Sequence, residues 1–455
     1  GRLNYDYKER YLFEMNLRYD GTSRFARNKR WNLFPSFSAG WNVAREVFME
    51  PYNDVINNLK VRGSWGELGN QNTTNLYPYI QLMKFVAEDP NSNWLIENKR
   101  PNTANAPDLI SALLGWETMR SWNIGFDLGL LSNRLTVSLD WFNRKTINMV
   151  GPAPELPVTL GANVPKVNNA DMQSTGFELD LGWRDQIRGF NYGVHLLLSD
   201  DRQKILRYPN KTGKIDTWYA GEYSGNIWGF ETIGVAKSQE EMDAHLASLP
   251  NGGQDALGSK WGAGDIMYRD LNGDGKISSG ATLNDPGDRK IIGNNSPRFK
   301  FGLDLNASWK GFDARLFFQG VAKRDAWLGD NMFWGATGDI WQSACFTPHL
   351  DFFREGDDFW SPNTNAYFPR PLSVNYAKNQ QAQTRYLQNA AYVRLKNLSI
   401  GYTIPARITS KMGISNLRIF FSGENLFTLT GLPQGFDPET IGTGYGSGSY
   451  TSGKT

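Results

Sequence analysis

In residues 11–20, YLFEMNLRYD, apolar and polar side chains alternate. Tyr11, Phe13, Met15, Leu17 and Tyr19 fall on one set of positions; Glu14, Asn16, Arg18 and Asp20 fall on the other. A period of two describes a β-strand with one apolar and one polar face. The pattern recurs along the chain. RLTVSLDWFN sets Leu135, Val137, Leu139 and Trp141 against Thr136, Ser138 and Asp140. GFELDLGW sets Phe177, Leu179, Leu181 and Trp183 against Glu178 and Asp180. FKFGLDLNASW, LKVRGSW and NLRIFFSGEN behave alike, through Phe301, Leu303 and Leu305, through Leu59 and Val61, and through Ile419 and Phe421. Roughly a dozen such strands are expected, with no repeat beyond the alternation itself.

The connections carry a second signal. Strands near 122–130 and 134–148 are separated by the tight turn Leu131, Ser132 and Asn133, and strands near 298–309 and 312–323 by Lys310 and Gly311 alone. The intervening stretches 149–170, 202–297 and 324–384 are long. Short turns alternating with long loops describe hairpins that cross a membrane, turns on one side and loops on the other. The apolar face then meets lipid, and aromatics gather at the two interfaces, as Tyr11 and Tyr19 bracket their strand. Trp141, Trp183 and Trp309 are each expected to close a strand. The rival is a soluble all-β protein whose apolar faces pack on another sheet.

Composition narrows the choice. No uninterrupted apolar run reaches the ~18 residues a membrane helix needs, although mean hydropathy, -0.50, leaves a barrel open because lumen residues dilute the average. The chain holds 48 Lys and Arg against 46 Asp and Glu, a balance of +2 that provides no field for nucleic acid. Cys345 is the single cysteine, so neither an intrachain disulfide nor a cysteine metal site forms. His195, His245 and His349 are too scattered to suggest zinc. With 16 Trp, 19 Tyr, 26 Phe and 47 Gly the chain suits strands joined by many turns.

Several segments together resemble the SusC/RagA-type TonB-dependent outer-membrane transporters. They are LFPSFSAGWNV (33–43), NNLKVRGSWGELGNQ (57–71), DLNGDGKIS (270–278), PRFKFGLDLNASWKGFDARLFFQG (297–320), AAYVRLKNLSIGYTIP (390–405) and ENLFTLTGLPQGFDPE (424–439). The resemblance implies an all-β fold, an antiparallel transmembrane β-barrel of 22 strands around an N-terminal plug. It implies a place in the outer membrane of a Gram-negative bacterium. It also implies import of nutrients, oligosaccharides or peptides, powered through TonB, with a SusD-like lipoprotein as lid. Residues 1–455 are expected to be the C-terminal portion of such a barrel, without the plug, its TonB box or the final strand. Outer-membrane lipid is the expected surroundings, and nucleic acid is not an expected partner. The alternatives are a passive porin and a secreted all-β carbohydrate-binding or hydrolytic protein.

DLNGDGKIS is the sharpest local motif. Asp270, Asn272 and Asp274 occupy positions 1, 3 and 5 of an EF-hand-type loop, Gly275 takes the sharp turn at 6, and the Lys276 main-chain carbonyl stands at 7. Alternating hard oxygens suit Ca2+. Position 12 is Ala281, so Asp285 or Asp288 would have to supply the missing carboxylate. The competing reading is a polar turn held by side-chain-to-backbone hydrogen bonds.

Between 324 and 384, Trp327, Trp334, Trp341, Trp360 and Tyr367 are candidate substrate or partner contacts, alongside Phe333, Phe352, Phe353, Phe359 and Phe368. Aromatics stack on sugars or fill a partner's pockets; they also pack on one another. SQEEMDAHLASL (238–249) reads as a short helix, capped by Ser238 with Glu241 and packing through Met242, Leu246 and Leu249, with His245 toward solvent. The acidic pairs Asp200-Asp201, Glu240-Glu241 and Asp357-Asp358 do not form a two-carboxylate hydrolase site, because neighbouring strand residues point to opposite faces. No catalytic motif is present, and an enzyme is not expected. Glu14, Arg18, Lys60, Arg62, Asp180, Asp304, Asp313, Arg315, Arg394 and Arg418 are expected on the lumen face. A bulge is expected between Val393 and Leu398.

Overall fold

The computed structural model describes residues 1–73, 76–83, 85–104, 109–110, 114–153, 164–335, 345–356 and 359–441. Twelve strands hydrogen-bond in chain order into one antiparallel sheet. They are β1 (Arg2–Tyr7), β2 (Tyr11–Gly21), β3 (Trp31–Asn42), β4 (Ile56–Asn70), β5 (Glu117–Leu130), β6 (Leu135–Gly151), β7 (Val167–Ile187), β8 (Phe190–Arg207), β9 (Arg298–Trp309), β10 (Phe312–Lys323), β11 (Tyr392–Ile404) and β12 (Leu417–Thr430). The all-β expectation and the dozen strands are both met. Helix is scarce among the described residues; α1 (Gln239–Ala247) has nine residues.

Two compact units divide the chain. One comprises Gly1–Trp183, Asp201–Lys211 and Trp218–Tyr223; the other comprises Arg184–Asp200, Thr212–Thr217 and the chain from Ser224.

In the first unit, pairing carries the alternation from strand to strand. Tyr11 lies opposite Trp41, Phe13 opposite Ala39, Met15 opposite Phe37 and Tyr19 opposite Leu33. Phe37 then faces Trp65, and Trp65 faces Trp122. Because in-register antiparallel partners share a face, the apolar positions merge into one continuous surface. The opposite face is polar. There Arg62 reaches Asp127 at 3.0 Å and Asp140 at 2.5 Å. The guanidinium lies over Gly125, where a Cβ would stand 2.5 Å from its carbon, so only glycine leaves room for it.

The second unit repeats the rule. Leu196 pairs with Leu303, Leu303 with Phe318, and Leu305 with Leu316. On the polar face Arg315 binds Asp304 at 2.5 Å and Arg418 binds Asp313 at 2.5 Å. The candidate lumen residues of both units all occupy the polar face. The expected bulge is present: Phe317 pairs with Asn397 but Phe318 with Leu395, so Lys396 is the extra residue.

Connections alternate between the two ends of the strands. Residues 8–10, 131–134, 188–189 and 310–311 are tight turns, with 43–55 and 405–416 somewhat longer; the other end carries 22–30, 71–116, 152–166, 208–297 and 324–391. Lys310 and Gly311 both have positive φ, 48° and 89°, as do Arg188 and Gly189, the geometry of a two-residue hairpin turn that follows strand twist. One expectation needs correction. Trp309 does close its strand, but Trp141 and Trp183 lie inside β6 and β7, which run to 17 and 21 residues. A barrel strand needs only ~9–11 residues to cross a membrane, and strands this much longer do not have to end at an aromatic residue.

Candidate functional site

The long connections of the second unit are not loose. Strand Asn226–Phe230 pairs with Arg289–Asn294, Thr232–Val235 with Ile266–Tyr268, and Asp325–Ala326 with Gln388–Asn389. They enclose an apolar core that includes Phe230, Met242, Ile266, Tyr268, Phe333 and Tyr386. The α1 helix contributes Met242, with Leu246 and Leu249 beside it. Ser238 caps it by accepting from the Glu241 N–H, but the Glu241 carboxylate takes the Lys237 N–H instead of the reciprocal cap bond. His245 departs from expectation. It is half-buried, with Nε2 3.1 Å from Oε1 of the buried Gln254, and burial pulls its pKa below the usual histidine value.

Gln254 explains why. Its Nε2 donates to the Ile266 carbonyl at 3.0 Å and its Oε1 accepts from the Tyr268 N–H at 2.7 Å, so the amide serves the strand Ile266–Tyr268 from inside the core. Beside it lies a buried ionic cluster. Asp265 accepts from Lys378 Nζ at 2.7 Å, Arg370 Nε at 2.8 Å, Asn379 Nδ2 at 2.9 Å and the Gly262 N–H at 2.9 Å. Lys378 Nζ also donates to the Ser259 and Lys260 carbonyls, and lies 4.6 Å from the Trp261 ring centroid. Every ammonium proton is used, which is the condition for tolerating a wholly buried lysine. No local sequence signal marks this cluster, because its two halves, 259–265 and 370–379, lie more than a hundred residues apart.

The DLNGDGKIS loop is a tightly bonded turn. Asp270 accepts from the Gly273 and Gly275 N–H groups at 2.6 and 2.9 Å, Asn272 from the Asp274 N–H at 3.0 Å, and Asp274 from the Lys276 N–H at 3.1 Å. Asp288, fully buried, closes the loop by accepting from the Leu271 and Ser278 N–H groups at 2.8 and 2.7 Å. Asp285 instead serves its own turn at Gly287. Burial, reinforced by the neighbouring Asp270 carboxylate, raises the Asp288 pKa despite these bonds. Among the described residues no three His, Cys, Asp or Glu side chains are gathered as a metal-holding group; in this turn the Asp270 and Asp288 oxygens are turned to backbone N–H groups.

The candidate aromatics separate by environment. Trp334 is buried against Phe333, Phe368 and Tyr386. Trp327 is half-buried, with its ring 5.9 Å from Trp334. Trp360 and Tyr367 remain exposed, as does Phe359. Trp341 lies outside the described residues, as do Asp357 and Asp358. Trp334 lines a cavity of about 230 Å3 shared with His349, Phe352, Phe368, Arg370 and Tyr376. His349 is held there: Nδ1 accepts from the Phe346 N–H at 2.9 Å and Nε2 faces the Phe333 carbonyl at 3.0 Å. Such an aromatic hollow with one cation at its edge takes an apolar side chain or a ring.

The family described as TonB dependent receptor-like, beta-barrel, matches residues 1–426. The TonB-dependent receptor P3 of Formosa agariphila is 30% identical over 96% of this chain and 41% of its own length. The TonB-dependent receptor SusC of Bacteroides thetaiotaomicron is 24% identical over 96% of this chain and 41% of its own. A structure of the RagAB peptide transporter superposes with a TM-score of 0.71 at 23% identity, covering 96% of this chain and 44% of that one, a likeness of fold. The chain thus spans about two-fifths of the length of the curated relatives it matches.

Proposed function

The chain belongs to the TonB-dependent receptor β-barrel family, and from that premise we propose that it forms wall and outward loops of an outer-membrane nutrient importer. The family is one of transporters, with SusC among the relatives, which supports the importer over the soluble all-β alternative. The cargo is an oligosaccharide or a peptide; TonB supplies the energy through a plug region, and a SusD-like lipoprotein covers the loop side. The observation that carries this reading is the family match along nearly the whole sheet, joined to a loop unit with its own core and an aromatic cavity. The relative solved as RagAB is a peptide transporter, and the largely apolar cavity agrees better with side chains than with hydroxyl-rich sugars.

The test uses the complete protein in its own host. Uptake of labelled oligopeptides and labelled oligosaccharides is compared with and without the gene, and with TonB deleted. Loss of one class of uptake in both deletions supports the importer. Uptake that persists without TonB but needs the gene makes the protein a passive porin.

We also propose that Asp270, Asn272, Asp274, the Lys276 carbonyl and Asp288 hold a Ca2+ ion as a clip in the loop unit. The support is the EF-hand spacing together with the convergence of Asp288 on the same turn. The ion would tie the turn to the chain 17 residues on.

A further inference from the structure

Residues 43–55 join β3 to β4 on the side of the short connections. Their position is set by Glu46. Its carboxylate accepts from Tyr11 Oη at 2.7 Å, from Trp41 Nε1 at 3.0 Å and from Arg10 at 3.4 Å. Tyr11 and Trp41 are a cross-strand pair at the end of the apolar face. The connection is therefore folded over the apolar side of the sheet, away from the polar side. Val43 and Met49 tuck inward and fasten it. Four large apolar side chains stand outside, Val47 at 61% exposure, Phe48 at 59%, Tyr52 at 58% and Val55 at 51%, with the polar Arg45, Glu50, Asn53 and Asp54 exposed between and beside them. Single exposed apolar residues are ordinary, but a contiguous group of large ones marks a surface that meets something other than water.

The level of this patch is fixed by the same bonds. The polar tips of Tyr and Trp in a membrane barrel sit at the boundary between acyl chains and headgroups. Glu46 touches both tips, and Val47 and Phe48 follow it at once. A chain advances at most ~3.6 Å per residue, so both lie within the ~5–7 Å that one headgroup layer spans. The geometry points to an interfacial anchor: the turn Val47–Tyr52, with Val55, lies on the phospholipid leaflet of the short-connection side and inserts its apolar side chains at the headgroup boundary. The β11–β12 connection, within its own unit, has matching chemistry. Ile408 and Met412 are exposed at a helical spacing, with Arg407 and Lys411 beside them to meet phosphate.

The inference rests on the outer-membrane reading, so its test carries a control for that reading. The complete protein, with Cys345 and any other native cysteine replaced by serine, is spin-labelled at Phe48→Cys. Reference labels are placed at Leu17→Cys on the apolar strand face and at Phe359→Cys on an exposed loop. Each is reconstituted in phosphatylethanolamine and phosphatidylglycerol vesicles. Collision with oxygen is compared with collision with a water-soluble nickel chelate. The oxygen-to-nickel ratio at position 48 is expected about twofold or more above that at 359 and below that at 17. A ratio equal to that at 359 places the turn in water and overturns the anchor. Shielding from both reagents shows a protein cover and overturns it too. A label at 17 that reports water means that the membrane reading itself has failed.

Discussion

Lys378 Nζ lies 2.7 Å from Asp265 Oδ2, and both side chains are wholly buried, at 1% and 0% exposure. The pair ties together two long connections 113 residues apart in sequence. Replacing Lys378 with Ala leaves Asp265 buried with less compensation. The loop unit is expected to lose about 3–5 kcal/mol, the usual cost of breaking a buried ion pair from one side. Limited proteolysis of the complete protein in detergent should cut the loops of this variant first. The double change Lys378→Met with Asp265→Asn should recover part of the loss. If the double variant is as labile as the single one, the charge imbalance is not the cause.

On the polar sheet face, Arg62 bridges Asp127 and Asp140. Arg62→Ala leaves two facing carboxylates without their shared cation. A loss of about 1.5–3 kcal/mol is expected from charge-assisted hydrogen bonds, reduced where water reaches the site. It should appear as a lower temperature for the shift in gel migration that accompanies unfolding. An Asp140→Asn change should cost less than Arg62→Ala.

The turn between β9 and β10 depends on Gly311. Its φ is +89°, and an added Cβ would stand 2.7 Å from the Thr403 carbonyl oxygen. Gly311→Ala should destabilise the hairpin by about 1–3 kcal/mol. Assembly into vesicles should slow measurably, whereas Lys310→Asn, a residue at ease with positive φ, should be neutral.

His245 makes the loop unit sensitive to acid. Burial holds its folded pKa below the unfolded value, so between the two the unfolded chain binds the extra proton. Its contribution is constant above the unfolded pKa of about 6.5 and declines as pH falls below that, until the folded pKa is reached. Melting of the loop unit should therefore drop as pH falls below about 6.5, and His245→Asn should flatten that part of the profile. An unchanged slope would falsify the assignment to His245.

The calcium clip is checked by melting with Ca2+ and with chelator. The native protein should gain stability with the ion, and Asp270→Ala with Asp274→Ala should show no difference between the two conditions. Stabilisation by Ca2+ that survives the double change rules out this loop as the site.

Much of the sheet was legible. A two-residue period survives any tertiary context, because it follows from the backbone itself. It placed Glu14, Arg62 and Asp304 on one face and Phe13, Val61 and Leu303 on the other. The bulge was legible for the same reason: Leu395 and Leu398 cannot share a face without an extra residue between them, and Lys396 is that residue. Hairpin positions followed from Lys310-Gly311 and from Leu131, Ser132 and Asn133, which all take positive φ.

The loop unit was not legible in this way. Nothing local told Asp288 from Asp285 as the residue closing the DLNGDGKIS turn, or showed that His245 meets Gln254. Amphipathic alternation decides which way a side chain points, and that is a property of neighbouring residues. A buried polar group such as Lys378 is tolerable only once distant acceptors surround it, and segments without regular alternation carry no register to bring them together. The sequence by itself determined the strands, their faces and their order of connection. The tertiary structure alone decided which distant charges are buried together, and which side of the sheet the 43–55 connection covers.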